Sequence, residues 1–356
     1  MLTIGSTYHR VYPRQLIPAA CVAWLLALAG VARASDLMVA GAGDGHGVGM
    51  SQEGALGYAE HGWTDTAILA HYYAGTAIGQ APAGARVRVL LAGKVHRIAL
   101  ESYVRGVISA EVPSSWPLAA LEAQAIASRT YALTAHAGGT KFDVYADTRS
   151  QVYRGAAAET PQTDTAAAAT AGQVVTYEGR PAVTYFFASS GGRTESVENG
   201  FPGAEPEPWL RGTLDPYDRG PLHRWKLTIS FTTAAARLHG LVRGSFRGIE
   251  VRKRGFSPRI LSAYVLGSRG RTAVSGAELA ARLGLYGTWA YFSVRDGQTV
   301  RPEPDRSDPS PNPSATSPGQ PTVSPSPPGA TAGGPQGGAQ GPASSESSPT
   351  GGAAAG

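Results

Sequence analysis

A carboxyl group at the end of an apolar helix face is the first candidate for chemistry in this sequence. The apolar positions follow the helical spacing i, i+3, i+4, i+7 and i+8: Leu100, Tyr103, Val104, Val107 and Ile108. Glu111 occupies the next position of that face, and Pro113 ends the helix just after it. Burial there favours the neutral acid, and a protonated carboxyl near neutral pH suits a general acid. The alternative is a structural carboxylate paired with a buried arginine.

The following segment offers that arginine. Ser115 is the expected N-cap of a second helix, with Pro117 in its first turn. The expected buried positions of this helix are Leu118, Leu121, Ala125, Ile126 and Leu133. Arg129 lies on the same side and must find an anion or carbonyl groups there. It could pair with Glu111 or hold a substrate oxygen through a bidentate contact, and Glu122 is a competing partner.

A glycine-rich segment supplies a third candidate site. Residues 45–52 read GHGVGMSQ and match neither the phosphate-loop nor the dinucleotide-binding pattern. One interpretation is that exposed backbone groups at a helix N-terminus, beside the His46 imidazole, bind anions or polar groups. The alternative is a flexible loop. Residues 189–192 (SSGG) lack the nucleophile-elbow pattern, and the histidines form no metal-binding motif.

These candidates must be positioned by a mixture of helices and strands. Helices are expected over residues 50–61 and 66–73, with Thr64 as the N-cap of the second, and after Ser275. Strands are expected over residues 86–91, 94–99, 172–177, 182–189, 225–231, 246–253, 259–266 and 291–294. The glycine-alternating residues 38–49 are expected to form a loop or a tightly approached extended segment.

Composition limits the function classes. Residues 1–34 read as a secretory signal peptide, or as an uncleaved anchor, and either leader exports the 356-residue chain. The single cysteine, Cys21, lies inside this leader, so the mature protein has no disulfide, cysteine ligand or cysteine nucleophile. Between residues 35 and 300 there are 26 basic and 22 acidic residues, a net +4 that is too mild for nucleic acid and compatible with anionic polymers. Half of the 26 prolines follow Arg301, which predicts a flexible tail over residues 298–356.

Five motifs in combination resemble the SpoIID/LytB family. They are AEVP at 110–113, ASRTY at 127–131, SQVYRG at 150–155, SSGG at 189–192 and GHGVGMSQ at 45–52. The matching stretches cover most of residues 43–294. The resemblance implies an α+β fold with antiparallel strands, a central helix pair that carries the catalytic glutamate, and a substrate cleft. It divides the chain into a leader (1–34), a Gly-His-Gly segment (35–80), a core domain (84–297) and a tail (298–356).

The resemblance further implies an exported lytic transglycosylase that cleaves peptidoglycan strands between N-acetylmuramic acid and N-acetylglucosamine, after stem peptides have been removed. Glu111 would protonate the leaving oxygen and then help to deprotonate the muramic 6-hydroxyl, so one carboxyl suffices where ordinary glycosidases need two. Arg129 would orient Glu111 or hold sugar oxygens. The expected substrate-binding residues are His46, Gly47, Ser51, Gln52, Gln151, Tyr153, Ser189 and Ser190. No cofactor and no metal are expected.

Two departures from the family pattern keep a second function open. The Gly-His-Gly segment precedes the core here, whereas in better-known members it follows the core, so it must fold back to reach the same cleft. Glu122 stands where a lysine is common, which removes a positive charge near the proposed site. The alternative is a non-catalytic, LytB-type enhancer of a cell-wall amidase, with a sporulation-linked role as a further option. The expected partners are glycan strands or that amidase, with no nucleic acid and no membrane beyond an uncleaved leader.

Overall fold

The computed structural model describes residues 35–296 and 299–302. The predicted signal peptide and nearly all of the predicted tail lie outside the described residues. In the described part, the α+β class is confirmed by eight α-helices and several mostly antiparallel sheets. None of these helices is long and apolar enough to cross a bilayer.

The helices are numbered here in chain order. They are α1 (Gln52–Glu60), α2 (Asp65–Tyr72), α3 (Leu100–Glu111), α4 (Leu118–Thr134), α5 (Pro161–Ala169), α6 (Val197–Gly200), α7 (Phe231–Arg237) and α8 (Gly276–Leu283). A short 3₁₀ helix spans Ala156–Ala158.

The strands are numbered in the same way. They are β1 (Asp36–Gly41), β2 (Met50–Ser51), β3 (Ala77–Gln80), β4 (Arg86–Leu91), β5 (Lys94–Ala99), β6 (Val144–Tyr145), β7 (Gln173–Tyr177), β8 (Arg180–Pro181), β9 (Phe186–Phe187), β10 (Trp225–Ser230), β11 (Phe246–Arg254), β12 (Ile260–Gly267), β13 (Gly270–Ser275), β14 (Ala290–Asp296) and β15 (Thr299–Pro302).

The central helix pair consists of α3 and α4. All five predicted apolar positions of α3 are at most 4% exposed, so the predicted face is the buried face. The start of α4 differs from the prediction: Pro117 precedes it without a side-chain cap, and Ser115 is not the N-cap. Leu118 is 45% exposed, because it lies in the first turn, where the helix has not yet entered the core.

The first described strand pairs with two strands from the later part of the described residues. β1 lies between β10 and β14 in an antiparallel sheet ordered β10-β1-β14-β15. Residues 38–41 are therefore an extended strand, the second of the two forms expected for this segment. The predicted start of the tail at residue 298 is too early, because Thr299–Pro302 pairs with β14.

A second sheet is formed by β11, β12 and β13, which are antiparallel neighbours. Its inner face packs with α7, α8 and the β1 sheet around one apolar cluster. Ser275 caps α8 through the Glu278 N–H, so the helix predicted after Ser275 is confirmed. Gly284 ends that helix in the left-handed conformation.

The predicted strand over residues 182–189 is mostly irregular. Only Phe186–Phe187 forms a strand there, and it pairs in parallel with β2. Tyr185 O instead accepts the N–H of Met50 at 3.0 Å. This segment therefore binds the glycine-rich segment rather than a long neighbouring strand.

Candidate functional site

The Glu111 carboxyl lies at the C-terminal end of α3 and is partly exposed. Oε1 accepts the backbone N–H of Val152, and Oε2 lies 3.5 Å from the donor Nε2 of Gln52. Burial raises the pKa of Glu111 above its ordinary value, and these two donors oppose the rise. Among the described residues, no lysine, arginine or histidine forms an ion pair with it. Glu111 is therefore a carboxyl group with a raised pKa that remains partly accessible to solvent.

A chain of amide and hydroxyl groups extends inward from Glu111. Gln52 Nε2 lies 3.4 Å from Gln124 Oε1, and Gln124 donates to Ser128 Oγ at 3.0 Å. Gln151 donates to the Ser128 backbone oxygen at 3.2 Å. Gln124, Ser128 and Gln151 are at most 1% exposed. Gln52 is thus held by α4 while it reaches Glu111, so the Gly-His-Gly segment does fold back onto the core.

Arg129 does not pair with Glu111 or with Glu122, and this corrects both predicted pairings. Its Nε and Nη2 donate to the two oxygens of Glu101 at 2.9 and 2.7 Å. Its remaining N–H groups donate to Ala167 O and Gln173 O. Glu101 lies ten residues before Glu111 on α3, which is about 15 Å along the axis.

The Arg129 side chain is fully buried. With its donors occupied by protein oxygens, it joins α3, α4, α5 and β7. The geometry supports a structural role for Arg129 rather than the predicted contact with Glu111 or with sugar oxygens.

His46 is fixed as a neutral ring by its backbone neighbours. Nε2 donates to Phe186 O at 3.1 Å, and Nδ1 accepts the Val48 N–H at 3.1 Å. Burial, with the positive charge of Arg259, lowers the pKa of His46 to about 4. Both ring nitrogens are occupied, so the imidazole has no free donor or acceptor to offer a substrate. The geometry therefore does not support the predicted role of His46 as a cleft residue.

The glycines of this segment permit close approach to the protein interior. Gly47 has φ +89° and Gly49 has φ +77°. A Cβ atom on Gly47 would overlap the Arg259 guanidinium, and one on Gly49 would overlap Tyr185 O. Gly47 O accepts the Glu195 N–H at 2.7 Å. Gly47 is therefore closely packed against the interior, and its predicted substrate contact stays a prediction.

The expected anion site at the start of α1 is also occupied by the protein. Ser51 Oγ accepts the N–H groups of Gly54 and Ser190, both at 3.1 Å, and the Glu53 N–H donates to Ala188 O at 2.9 Å. Ser51 is fully buried. It fixes the start of α1, and it presents no surface to a substrate.

Ser189 and Ser190 belong to a buried network around Asp218. Both hydroxyls donate to the Asp218 carboxylate, at 2.8 and 2.9 Å, and the Gly191 N–H donates to it at 2.6 Å. Both serines are at most 1% exposed, so their predicted substrate contact is corrected to a structural one. Nearby Asp215 accepts the Tyr72 hydroxyl at 2.9 Å. Burial and the charge of Asp218 raise the pKa of Asp215 to about 6.

The two remaining predicted residues lie beside α3. Tyr153 stacks on Tyr103 of α3 with ring centroids 5.1 Å apart and stays partly exposed. Gln151 is 1% exposed, so it acts through the polar chain and does not reach a substrate directly. In residues 35–296 and 299–302 no group of three metal-ligating side chains is close enough to hold an ion.

Sequence reasoning missed the groups that hold the predicted ones. Val152 offers only a backbone N–H, which no side-chain pattern reveals. Asp218 lies outside the five motifs, and nothing in its spacing indicates that it binds the serines 28 and 29 residues before it. Glu101 lies next to Leu100 in the first turn of α3 and off the series of positions that ends at Glu111, so the spacing that picked out Glu111 did not indicate it.

Comparison with known proteins gives the class of this fold and site. The sequence model of the SpoIID family, described as Stage II sporulation protein, matches residues 92–177. That segment contains Glu111, Arg129, Gln151 and Tyr153. Residues 92–177 therefore match the SpoIID family, and the predicted SpoIID/LytB resemblance is confirmed.

Three curated relatives support the same assignment. An uncharacterized protein of Brachyspira hyodysenteriae is 35% identical over 140 residues, 38% of each chain. The Stage II sporulation protein D of Bacillus subtilis is 32% identical over 157 residues, 39% of this chain and 45% of that one. The amidase enhancer of Bacillus subtilis is 37% identical over 127 residues, 36% of this chain and 17% of that one. In each case the match spans less than half of the relative.

Proposed function

We propose that this protein is an exported lytic transglycosylase that cleaves peptidoglycan glycan strands, with Glu111 as its single acid and base. The observation that carries the proposal is the Glu111 carboxyl itself. It is partly exposed, its pKa is raised by burial, and no cation among the described residues is paired with it. A carboxyl of this kind holds a proton that it can give to a leaving group.

The proposed reaction needs no second carboxylate. Protonated Glu111 gives its proton to the glycosidic oxygen as the bond from that oxygen to the muramic C1 breaks. The resulting carboxylate takes the proton of the muramic 6-hydroxyl, whose oxygen bonds to C1 and closes a 1,6-anhydro ring. Val152 N–H and Gln52 hold the two carboxylate oxygens in place during this exchange.

A second candidate function rests on one of the relatives. The matched protein named amidase enhancer is 37% identical over its aligned segment, and Glu122 stands where the family pattern commonly has lysine. The chain would then stimulate a cell-wall amidase and cleave nothing itself. Glu111 would have no role in that activity.

The test compares products from stem-peptide-free glycan strands. Wild-type protein is expected to release fragments with 1,6-anhydro-muramic ends, detected by mass spectrometry. Glu111→Gln is expected to reduce the rate at least about 100-fold, because general acid catalysis is lost. Glu122→Gln is the matched control, since it makes the same change on the neighbouring helix, and it should keep most of the activity.

A second assay, on intact peptidoglycan with a purified cell-wall amidase, distinguishes the amidase-enhancer function from the transglycosylase function. If wild type and Glu111→Gln both stimulate the amidase and neither yields anhydro ends, the enhancer function stands and the transglycosylase proposal is wrong. Export is tested separately by locating the full chain and sequencing the N-terminus of the mature protein.

A further inference from the structure

The net charge of the chain is divided very unevenly along its length. Residues 35–220 contain 13 basic and 19 acidic residues, a net −6. Residues 221–296 contain 13 basic and 3 acidic residues, a net +10. The mild overall charge therefore hides a strongly basic segment, which is the part of the chain that forms β10 to β14.

Many of these cations lie on and around the β11–β13 sheet. The side chains of Ala263 and Val265 on β12 face the apolar core, so the intervening Tyr264 faces outward. The exposed basic residues of the sheet and its turns are Arg243, Arg247, Arg252, Lys253, Arg269 and Arg271. We call these residues the basic face.

Four members of the basic face have no carboxylate to neutralise them. Among the described residues, no acid forms an ion pair with Arg243, Arg247, Lys253 or Arg269. The backbones of Arg243 and Arg269 are adjacent, since the Arg269 main-chain N–H donates to Arg243 O at 3.0 Å. Cations gathered on one surface without acids to balance them repel one another, so a bound polyanion would stabilise the surface.

The other two cations are arranged around a single carboxylate. Glu250 lies 3.1 Å from Arg252 and 3.7 Å from Arg271. Both guanidinium groups also lie over the Tyr264 ring, 5.6 and 4.2 Å from its centroid. The ring that could have stacked on a nucleobase is thus already covered by arginines, which disfavours single-stranded nucleic acid as the ligand.

We propose that the basic face binds an unbranched anionic polymer whose charges are backbone phosphodiesters and which carries no bases. Arginine forks bind phosphate oxygens in pairs. The cations are spread over β11, β13 and the turns that flank them, so they offer several separate contacts to a flexible chain of phosphates. This surface would hold the protein on a polyanion through residues other than those that contact Glu111.

The test measures binding of the full chain to fluorescent poly(glycerol phosphate) between 50 and 200 mM salt, the interval over which counterion effects are large. The variant R243S/R247S/R269S should bind at least about tenfold more weakly, and the slope of log K against log salt should fall by about 2. The control K94S/R97S/R180S removes three exposed cations from the acidic part of the chain. It should bind within about twofold of wild type, as these residues lie outside the basic face.

Further variants and competing polymers identify the type of polymer that binds and control for misfolding of the serine variant. R243K/R247K/R269K keeps the charge but loses the paired donors, so it should bind more tightly than the serine variant and more weakly than wild type. If the serine triple variant does not fold by circular dichroism, R247S alone gives the same comparison. Equal losses in the serine and control variants would overturn the proposal. So would no binding at 50 mM salt, or tighter binding to polyglutamate, duplex DNA or anionic vesicles than to poly(glycerol phosphate).

Discussion

Glu111 and Gln52 form the smallest unit that matters for the proposed chemistry. Burial raises the pKa of Glu111, and the Gln52 amide opposes this rise because it stabilises the carboxylate form. The two effects oppose one another, so the pKa of Glu111 depends on a residue that lies 59 positions away in the sequence. Gln52 is therefore a positioning residue for the proposed acid.

Replacing Gln52 should move the pH dependence of glycan cleavage. Gln52→Met removes a donor to the carboxylate, which raises the pKa of Glu111 further. Because the acid form must be present for cleavage, the alkaline limb of the kcat/KM profile should move to higher pH. The profile is measured on stem-peptide-free strands.

Gln173→Met makes the same chemical change on β7, and it should leave the alkaline limb where it is. A limb that moves to lower pH in Gln52→Met, or that does not move, would show that Gln52 does not act on Glu111.

At the scale of the elements, the Arg129–Glu101 pair fixes the helices that carry Glu111. It joins α3 and α4, and Arg129 also binds carbonyl groups of α5 and β7. Glu101 Oε1 accepts the Gly172 N–H at 3.1 Å as well. The pair thus controls how α3 sits against α4, and through α3 it controls the position of the Glu111 carboxyl.

Removing the acid of this pair should destabilise the protein strongly. Glu101→Ala leaves the fully buried Arg129 guanidinium without its counter-charge, and we expect a loss of about 3 kcal/mol in the free energy of unfolding. Glu159→Ala breaks the more exposed pair with Arg105, 3.3 Å apart, and should cost less than about 1 kcal/mol. Urea unfolding measures both. Similar losses in the two variants would contradict the structural role of Arg129.

The elements also show what sequence could and could not predict. The α3 face was predictable because apolar spacing and Pro113 define it locally. The partner of Arg129 could not be predicted. The helical spacing of apolar residues shows which side of α4 is buried, but it does not show which residue of another element contacts that side. The strand predicted over 182–189 was wrong for most of its length, because a run of valine and aromatic residues reveals no hydrogen-bonding partner.

At the scale of the whole molecule, the glycine-rich segment and the C-terminal strands meet around β1. Gly43 O accepts the Trp225 indole N–H at 2.9 Å, and Gly45 O accepts the Arg259 guanidinium at 3.0 Å. The glycine-rich segment, which precedes the core domain, is therefore held by residues from the C-terminal half of that domain. This arrangement explains how the reversed order of motifs still brings Gln52 to Glu111. The net charge of the whole chain, by contrast, did not indicate the basic face. The basic segment became evident only when the charges of residues 35–220 and 221–296 were counted separately.

The central claim is that bond cleavage uses the sugar's own hydroxyl rather than water. It is tested most directly by digesting stem-peptide-free glycan strands in water enriched in oxygen-18 and measuring the masses of the products by mass spectrometry. The proposed mechanism predicts anhydro ends that contain no heavy oxygen in the wild type and no such products with Glu111→Gln. New reducing ends that carry heavy oxygen would show hydrolysis and would contradict it.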